Sequence, residues 1–291
     1  NLTHLQFGVD FLTEEDIEAG RLADYDVLYM TDPCLTTKST EVLVKWVESG
    51  GQLYGSCAAG SRNEFNEDVP GLSRVFGLAP KVAVKTQEAE YRVRGRLNDL
   101  GYLDRIRCGV GPGVDAMEFG TVGCKVAVTP AGAMVVGKFQ DGSPAVLTHS
   151  FGRGRTVYVA GTPGVASVKD ARFVPRELKE VWPAAQRQLI TGLARSAGVP
   201  RVVELSHPVV EAGVYDAPRG TALVLANFTY QPIKELRVRL PVTKLPKTVR
   251  SVTRGELKFS PIAKGSSIAK QLTKVIEFVL PLGLNDIVLV E

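Results

Sequence analysis

Gly55-Ser56-Cys57-Ala58-Ala59-Gly60 places a thiol among small residues at the end of an apolar run. A cysteine at a strand-to-helix elbow gains from the helix N-terminus and from nearby backbone N–H donors, which favour a nucleophilic thiolate. That chemistry also needs a histidine base and a carboxylate to orient it. The chain has only His4, His149 and His207 to supply that base. Cys57 is therefore a candidate nucleophile, against the plainer reading of a packed or merely exposed thiol. Asp32, Arg62 and Glu64 form a second candidate group, suited to a polar ligand such as a sugar. Their plainer reading is solvated loop residues plus a helix cap. His149 reads as a hydrogen-bonded strand residue beside a tight turn, His207 as structural, and Trp46 and Trp182 as core.

The elements that would position these residues are legible. Asp26-Val27-Leu28-Tyr29-Met30 is an apolar strand ending at Thr31-Asp32-Pro33. Leu43, Trp46 and Val47 recur at i, i+3 and i+4, one apolar face of a helix over 38–49. Thr36 or Thr37 can cap its start, and Gly50 supplies a left-handed exit. Residues 52–57 form the next strand. Strand, capped helix and strand imply a parallel pair with a right-handed crossover. The loops leaving the strand carboxyl ends, 32–37 and 57–67, then line a ligand crevice.

Elsewhere, Phe7–Leu12 reads as a strand, Thr13-Glu14-Glu15-Asp16 as a capped helix start, and Pro70–Gly77 as a short helix. From Lys81 the period changes to two: Val82/Val84, Tyr91/Val93, Val126/Val128, Met134/Val136, Ala145/Leu147 and Val157/Val159 alternate like half-buried strands. Phe151-Gly152-Arg153-Gly154-Arg155 predicts a hairpin between 146–150 and 156–160. This region adds an antiparallel extension to the parallel core. Leu178–Ala197 returns to helix. Val199-Pro200-Arg201 marks a boundary between an α/β domain, 1–199, and a small all-β sandwich, 200–291, built of strands near 202–205, 209–214, 221–227, 235–240, 248–252, 274–280 and 286–290.

A net charge of +4 over 291 residues, with no basic stripe, excludes a phosphate-backbone footprint, so no nucleic-acid partner is expected. No apolar run approaches the roughly 20 residues of a membrane span, so no membrane partner is expected. Cys34, Cys57, Cys108 and Cys124 show no CxxC or Cys/His ligand spacing, so neither a metal site nor a cofactor is expected. They read as reduced, mostly buried thiols, which leans toward a cytoplasmic setting. The sequons Asn1-Leu2-Thr3 and Asn227-Phe228-Thr229 would matter only in a secreted protein. Asn1-Leu2-Thr3-His4-Leu5 reads like the last turn of a helix already under way, so the chain is expected to continue a longer polypeptide.

Leu22-Ala23-Asp24-Tyr25-Asp26-Val27-Leu28-Tyr29, Val47–Leu53, Gly60-Ser61-Arg62-Asn63-Glu64 and Pro70-Gly71-Leu72 leading to Phe76-Gly77 together resemble the β-galactosidase trimerisation domain of certain glycoside hydrolases. Where that family shows Ser-Gly-x-x-Asp-Glu, this chain has Ala59-Gly60-Ser61-Arg62-Asn63-Glu64, an Asp-to-Asn departure at position 63. The resemblance implies a flavodoxin-like or amidotransferase-like doubly wound sheet whose catalytic residues have been lost. Class I glutamine amidotransferases hold a cysteine nucleophile at this elbow within Gly-x-Cys-x-Gly and its base in a late His-x-Glu. Here Ala59 takes the second glycine position, and neither His149-Ser150-Phe151 nor His207-Pro208-Val209 carries the carboxylate. Val146–Arg155 is similar to the late hairpin of the same superfamily. The segment ending Leu280-Pro281-Leu282-Gly283-Leu284-Asn285-Asp286 is similar to the C-terminal β-sandwich of many glycoside hydrolases.

In function, the resemblance implies a non-catalytic assembly region of a glycoside hydrolase. Such a region would be a homo-oligomer, trimeric by the family's name, with an upstream catalytic domain and a role in shaping a neighbour's substrate cleft. Regular βα alternation stops near Lys81, too early for a (β/α)₈ barrel. The alternatives are a cysteine enzyme using Cys57 and a carbohydrate-binding module using the crevice of Asp32, Arg62 and Glu64.

Overall fold

The computed structural model describes residues 1–80, 83–86, 100–109, 117–169, 182–229, 231–262 and 274–291. Among these, one compact unit comprises 11–169 and 183–197, and the other 1–10, 182 and 198–291.

The first unit begins with α1 (Glu14–Glu18), whose N-terminus carries a capping box. Thr13 Oγ1 accepts from the Asp16 N–H, and the Asp16 carboxylate accepts from the Thr13 N–H at 3.0 Å. Strand β1 (Val27–Met30), helix α2 (Thr37–Glu48) and strand β2 (Gln52–Ser56) then form the expected crossover, with β1 and β2 parallel and Val27 opposite Gln52. Thr36 caps α2, its Oγ1 accepting from Ser39 N at 3.1 Å. Leu43 and Val47 are fully buried on the inner face. Gly50, at φ +121°, carries the chain out of the helix.

The remaining strands are β3 (Ala83–Thr86), β4 (Asp104–Cys108), β5 (Met117–Thr121), β6 (Cys124–Ala127), β7 (Met134–Phe139), β8 (Pro144–Phe151) and β9 (Gly154–Val159). Seven strands make one mixed sheet in the order β1-β2-β9-β8-β7-β4-β5. Its first three strands are parallel and every later pairing is antiparallel. β3 and β6 pair as a separate ribbon. Helices α3 (Pro163–Val168) and α4 (Ala184–Ser196) complete the unit. Tyr29 on β1 donates its hydroxyl to the Ile190 carbonyl of α4 at 2.6 Å, and burial pushes the phenol up to about 12.

The hairpin Gly152-Arg153-Gly154 docks on the C-terminus of α2. Arg153 N donates to Glu48 O at 2.9 Å, and its guanidinium donates to Ser49 O at 2.8 Å, placing a cation at the negative end of the helix. A Cβ on Gly154 would collide with the carbonyl oxygens of Val47 and Gly51, so the close approach requires glycine there.

The second unit holds β10 (Glu204–Leu205), β11 (Val210–Ala217), β12 (Gly220–Asn227), β13 (Ile233–Val242), β14 (Val249–Ser251), β15 (Gly255–Glu256), β16 (Phe259–Ile262), β17 (Lys274–Leu282) and β18 (Asn285–Val290). They form two antiparallel sheets, β10-β13-β17-β16 and β11-β12-β18-β14-β15. Leu223, Leu225 and Val288 of one sheet and Leu236, Val238, Leu240, Ile276 and Leu280 of the other share one buried core. The period-two pattern is what commits each strand to a single inward face.

The side-chain amide of Gln6 behaves like a short stretch of backbone beside β11. Its Nε2 donates to Val210 O at 2.6 Å, and its Oε1 accepts from Ala212 N at 3.1 Å. Asn227, in the second sequon, is 3% exposed, and its amide binds Gln231 O, Gly283 O, Thr229 N and the Thr229 hydroxyl. Asp286 is equally buried, and its carboxylate accepts from the hydroxyls of Ser251 and Thr253 at 2.6 and 2.7 Å.

Two expectations about secondary structure are corrected. Residues 7–12 form no strand: Phe7 makes one isolated bridge, to Arg201, and 8–12 have no ladder partner. Pro70–Gly77 is a run of turns rather than a helix. Leu72, Val75 and Phe76 are buried at helical spacing, yet Gly71 at φ +32° lies against the Gly60 carbonyl and breaks the regular bonding. The strand over Tyr91/Val93, the residue Val82 and the start of the 178–197 helix fall outside the described residues.

Candidate functional site

The loops after β1 and β2 meet at the carboxyl ends of those strands, as the crossover dictates. Arg62 N donates to Pro33 O and Leu35 N to Arg62 O, both at 2.9 Å, while Gly60 N donates to Asp32 O at 3.0 Å. Asp32 closes a turn by accepting from Cys34 N at 2.9 Å. Glu64 reaches the first residue of α2, accepting from Thr37 N at 2.9 Å and from the Thr37 hydroxyl at 3.2 Å. Its own backbone N–H, then that of Thr37, hold the Glu64 carboxyl below its ordinary value.

Asp32 and Glu64 line one open cleft of about 590 Å³, together with Phe11, Glu14, Met30 and Cys34. Arg62 turns to its own loop, with Nη1 2.7 Å from Asn66 Oδ1 and Nε 3.4 Å from the Asp68 carboxylate. Asn63 organises that loop: its Oδ1 accepts from the N–H groups of Phe65 and Glu67 at 3.0 Å. The loop thus holds Phe65 outward at 76% exposed, and Phe11 at the cleft is 93% exposed.

Cys57 is not a free thiol. It is disulfide-bonded to Cys124, with the two Cα atoms 6.5 Å apart, which overturns the reading of four reduced cysteines. The partner lies 67 residues away at the head of β6, and no local motif announces such a pair. Cys34 is free and exposed. Cys108 is free and buried, and burial pushes its thiol up to about 11.

The elbow keeps its special backbone, with Cys57 at φ +58°. Its N–H is already engaged, donating to Val159 O at 2.9 Å and Gly161 O at 3.0 Å. The Tyr158 hydroxyl donates to the Cys57 carbonyl, and burial raises that phenol well above its ordinary value. Nucleophilic chemistry at Cys57 would first require this disulfide to open.

The histidines have structural partners. His149 Nδ1 lies 3.0 Å from Val75 O, and His207 Nδ1 lies 2.9 Å from Ser206 Oγ. His4 packs edge-on against Trp182 at 4.6 Å between ring centroids. Trp46 covers Gly51, where a Cβ would strike the indole. Among the described residues no three His, Cys, Asp or Glu side chains are grouped to hold a metal ion. Among them too, no helix is long and apolar enough to cross a membrane.

The full chain superposes on part of Gan42B, a GH42 β-galactosidase from G. stearothermophilus, with TM-score 0.61 and 17% identity, covering 100% of this chain and 35% of that one. The cold-adapted β-galactosidase from Rahnella sp. R3 gives TM-score 0.63 at 16% identity, covering 100% and 35%. The β-galactosidase from Bacillus circulans sp. alkalophilus gives 0.58 at 17% identity, covering 95% and 36%. At such identities the likeness is one of fold. The chain spans about a third of the length of these structures. No curated protein matches the sequence. A family model described as the β-galactosidase trimerisation domain matches residues 1–180, more than half of the chain. The chain therefore belongs to the β-galactosidase trimerisation domain family.

Proposed function

We propose that this chain is the assembly region of a larger glycoside hydrolase of the β-galactosidase kind, with the catalytic domain elsewhere in the polypeptide. The observation that carries this reading is the family match over residues 1–180. The superposition of the whole chain on about a third of each β-galactosidase supports it. On this reading the unit with the mixed sheet is an amidotransferase-like scaffold, and the domain boundary lies near 199/200. The scaffold holds subunits together, as a trimer, and contributes a wall to a neighbour's substrate cleft. Mass measured twice tests it. Under denaturing conditions the native polypeptide should far exceed 31.4 kDa, and under native conditions it should be three times its own subunit. A 31.4 kDa polypeptide, or a monomer, overturns the proposal.

A second reading rests on the cleft of Asp32 and Glu64, with Phe11 beside it. Carboxylates next to an exposed aromatic ring suit sugar hydroxyls and an apolar sugar face, with Arg62 behind the loop. Calorimetric titration with galactosides tests this, and an absence of heat that persists in Phe11→Ala and wild type alike ends it.

A further inference from the structure

We propose that Cys57–Cys124 is a reversible thiol–disulfide exchange site, opened by a small-molecule thiol that attacks the Cys57 sulfur, rather than an inert staple. The two ends of the bond differ in access. Cys57 is half-buried at the loop after β2, whereas Cys124 is 8% exposed at the head of β6. On that difference we take Cys57 as the sulfur that the incoming thiolate attacks.

Hydrogen bonds also hold the surrounding junction, alongside the disulfide. Cys57 N donates to Val159 O and Gly161 O, and Val126 N donates to Ala160 O at 2.9 Å, so both chain segments converge on the step after β9. Thr121 Oγ1 donates to Cys124 O at 2.7 Å and accepts from Thr162 N at 2.8 Å. These hydrogen bonds keep β2, β6 and the end of β9 together when the sulfurs part. The left-handed backbone at Cys57 is likewise held by its N–H bonds and by the Tyr158 hydroxyl.

The chemistry balances with two thiols. The first thiolate forms an S–S bond to Cys57 Sγ. The Cys57–Cys124 bond breaks, and its electron pair leaves on Cys124 Sγ, which takes a proton. A second thiolate attacks the mixed disulfide, freeing the Cys57 thiolate and releasing the oxidised small-molecule dimer. Two small thiols are oxidised to one disulfide as the protein disulfide becomes two thiols.

The experiment uses the full chain in a Cys34→Ser background, which removes the exposed free thiol. The protein is incubated with reduced glutathione, trapped with iodoacetamide, and mapped by intact and peptide mass. The expected result is a mixed disulfide on Cys57, formed while far-UV circular dichroism stays native. In companion variants, Cys57 of Cys124→Ser should react with oxidised glutathione about 10-fold or more faster than Cys124 of Cys57→Ser, because the accessible thiolate is the nucleophile. The proposal is overturned if the adduct sits on Cys124, or if the two single variants react alike. It is equally overturned if reduction proceeds only at the rate of global unfolding, or if the native protein carries no Cys57–Cys124 bond.

Discussion

Replacing Gly154 by alanine tests how tightly the β8–β9 hairpin is seated on α2. The new Cβ would stand 2.8 Å from Val47 Cγ1, with the Val47 and Gly51 carbonyl oxygens closer still. Ordinary carbon–carbon contact is about 3.7 Å, so hairpin and helix must separate by roughly 1 Å. Backbone oxygens, unlike a flexible side-chain tip, cannot swing aside. Overpacking of this kind costs about 1–3 kcal/mol. The separation also strains the Arg153 N–H to Glu48 O bond, worth about 1 kcal/mol. The expected loss is about 3 kcal/mol, or roughly 6–12 °C in Tm for a unit of this size. Urea denaturation followed by Trp46 fluorescence, in a Trp182→Phe background, measures it within the right unit. Gly192→Ala on α4 supplies the opposite sign. A Cβ there meets nothing within 4 Å, so the same substitution should stabilise by about 0.5–1 kcal/mol through helix propensity. A loss at Gly154 smaller than about 1 kcal/mol would refute the close-approach reasoning.

Joint replacement of Cys57 and Cys124 by serine should lower stability to chemical denaturation by about 4 kcal/mol, the loop-closure value for a 67-residue separation. An unchanged urea midpoint would count against the bond. Asp286→Ala should cost about 1–3 kcal/mol, since it strands the buried Ser251 hydroxyl and removes the acceptor of the exposed Thr253 hydroxyl, and Asp286→Asn should recover part of that in the same melt. Tyr29→Phe should cost about 1 kcal/mol and remove the phenol that titrates near 12 in an alkaline absorbance scan. With its folded value raised, Tyr29 stabilises fully below pH 10 and loses that contribution as pH rises through about 12. Asp141 runs the other way. Hydrogen bonds from Lys125, then Ser143, hold its carboxyl well below the ordinary range. Its contribution is present above pH ~4 and fades as pH falls through the depressed value, so Lys125→Met should flatten the acid limb of the stability profile.

The β1–α2–β2 crossover is legible in the sequence because each signal agrees with the next: an apolar strand, a threonine cap, a face of Leu43 and Val47, and a glycine exit. The hairpin at Gly152–Gly154 and most strands of the second unit are legible for the same reason, since period two and turn residues are local properties. Segment 7–12 carries the apolar pattern of a strand without being one, because that pattern says nothing about whether a neighbouring strand exists. Pro70–Gly77 spaces its buried residues as a helix would, yet successive turns around Gly71 serve the same burial. The crevice residues Asp32 and Glu64 share a cleft because the crossover fixes which loops meet there. That Arg62 spends its guanidinium on Asn66 and Asp68 is a matter of loop conformation that residue type does not reveal. The Cys57–Cys124 pairing depends on how β6 returns to the end of β9, a long-range contact with no sequence mark.

Gln6 ties the order of synthesis to the order of folding. Its amide partners, Val210 and Ala212, are made more than two hundred residues after it, at separations of 204 and 206. While the ribosome is still producing the second unit, the mixed sheet of the first already has all of its strands. The Gln6 amide must meanwhile wait for the edge of β11 to appear. Translation that pauses between 198 and 210 would leave Gln6 without the strand on which its amide docks.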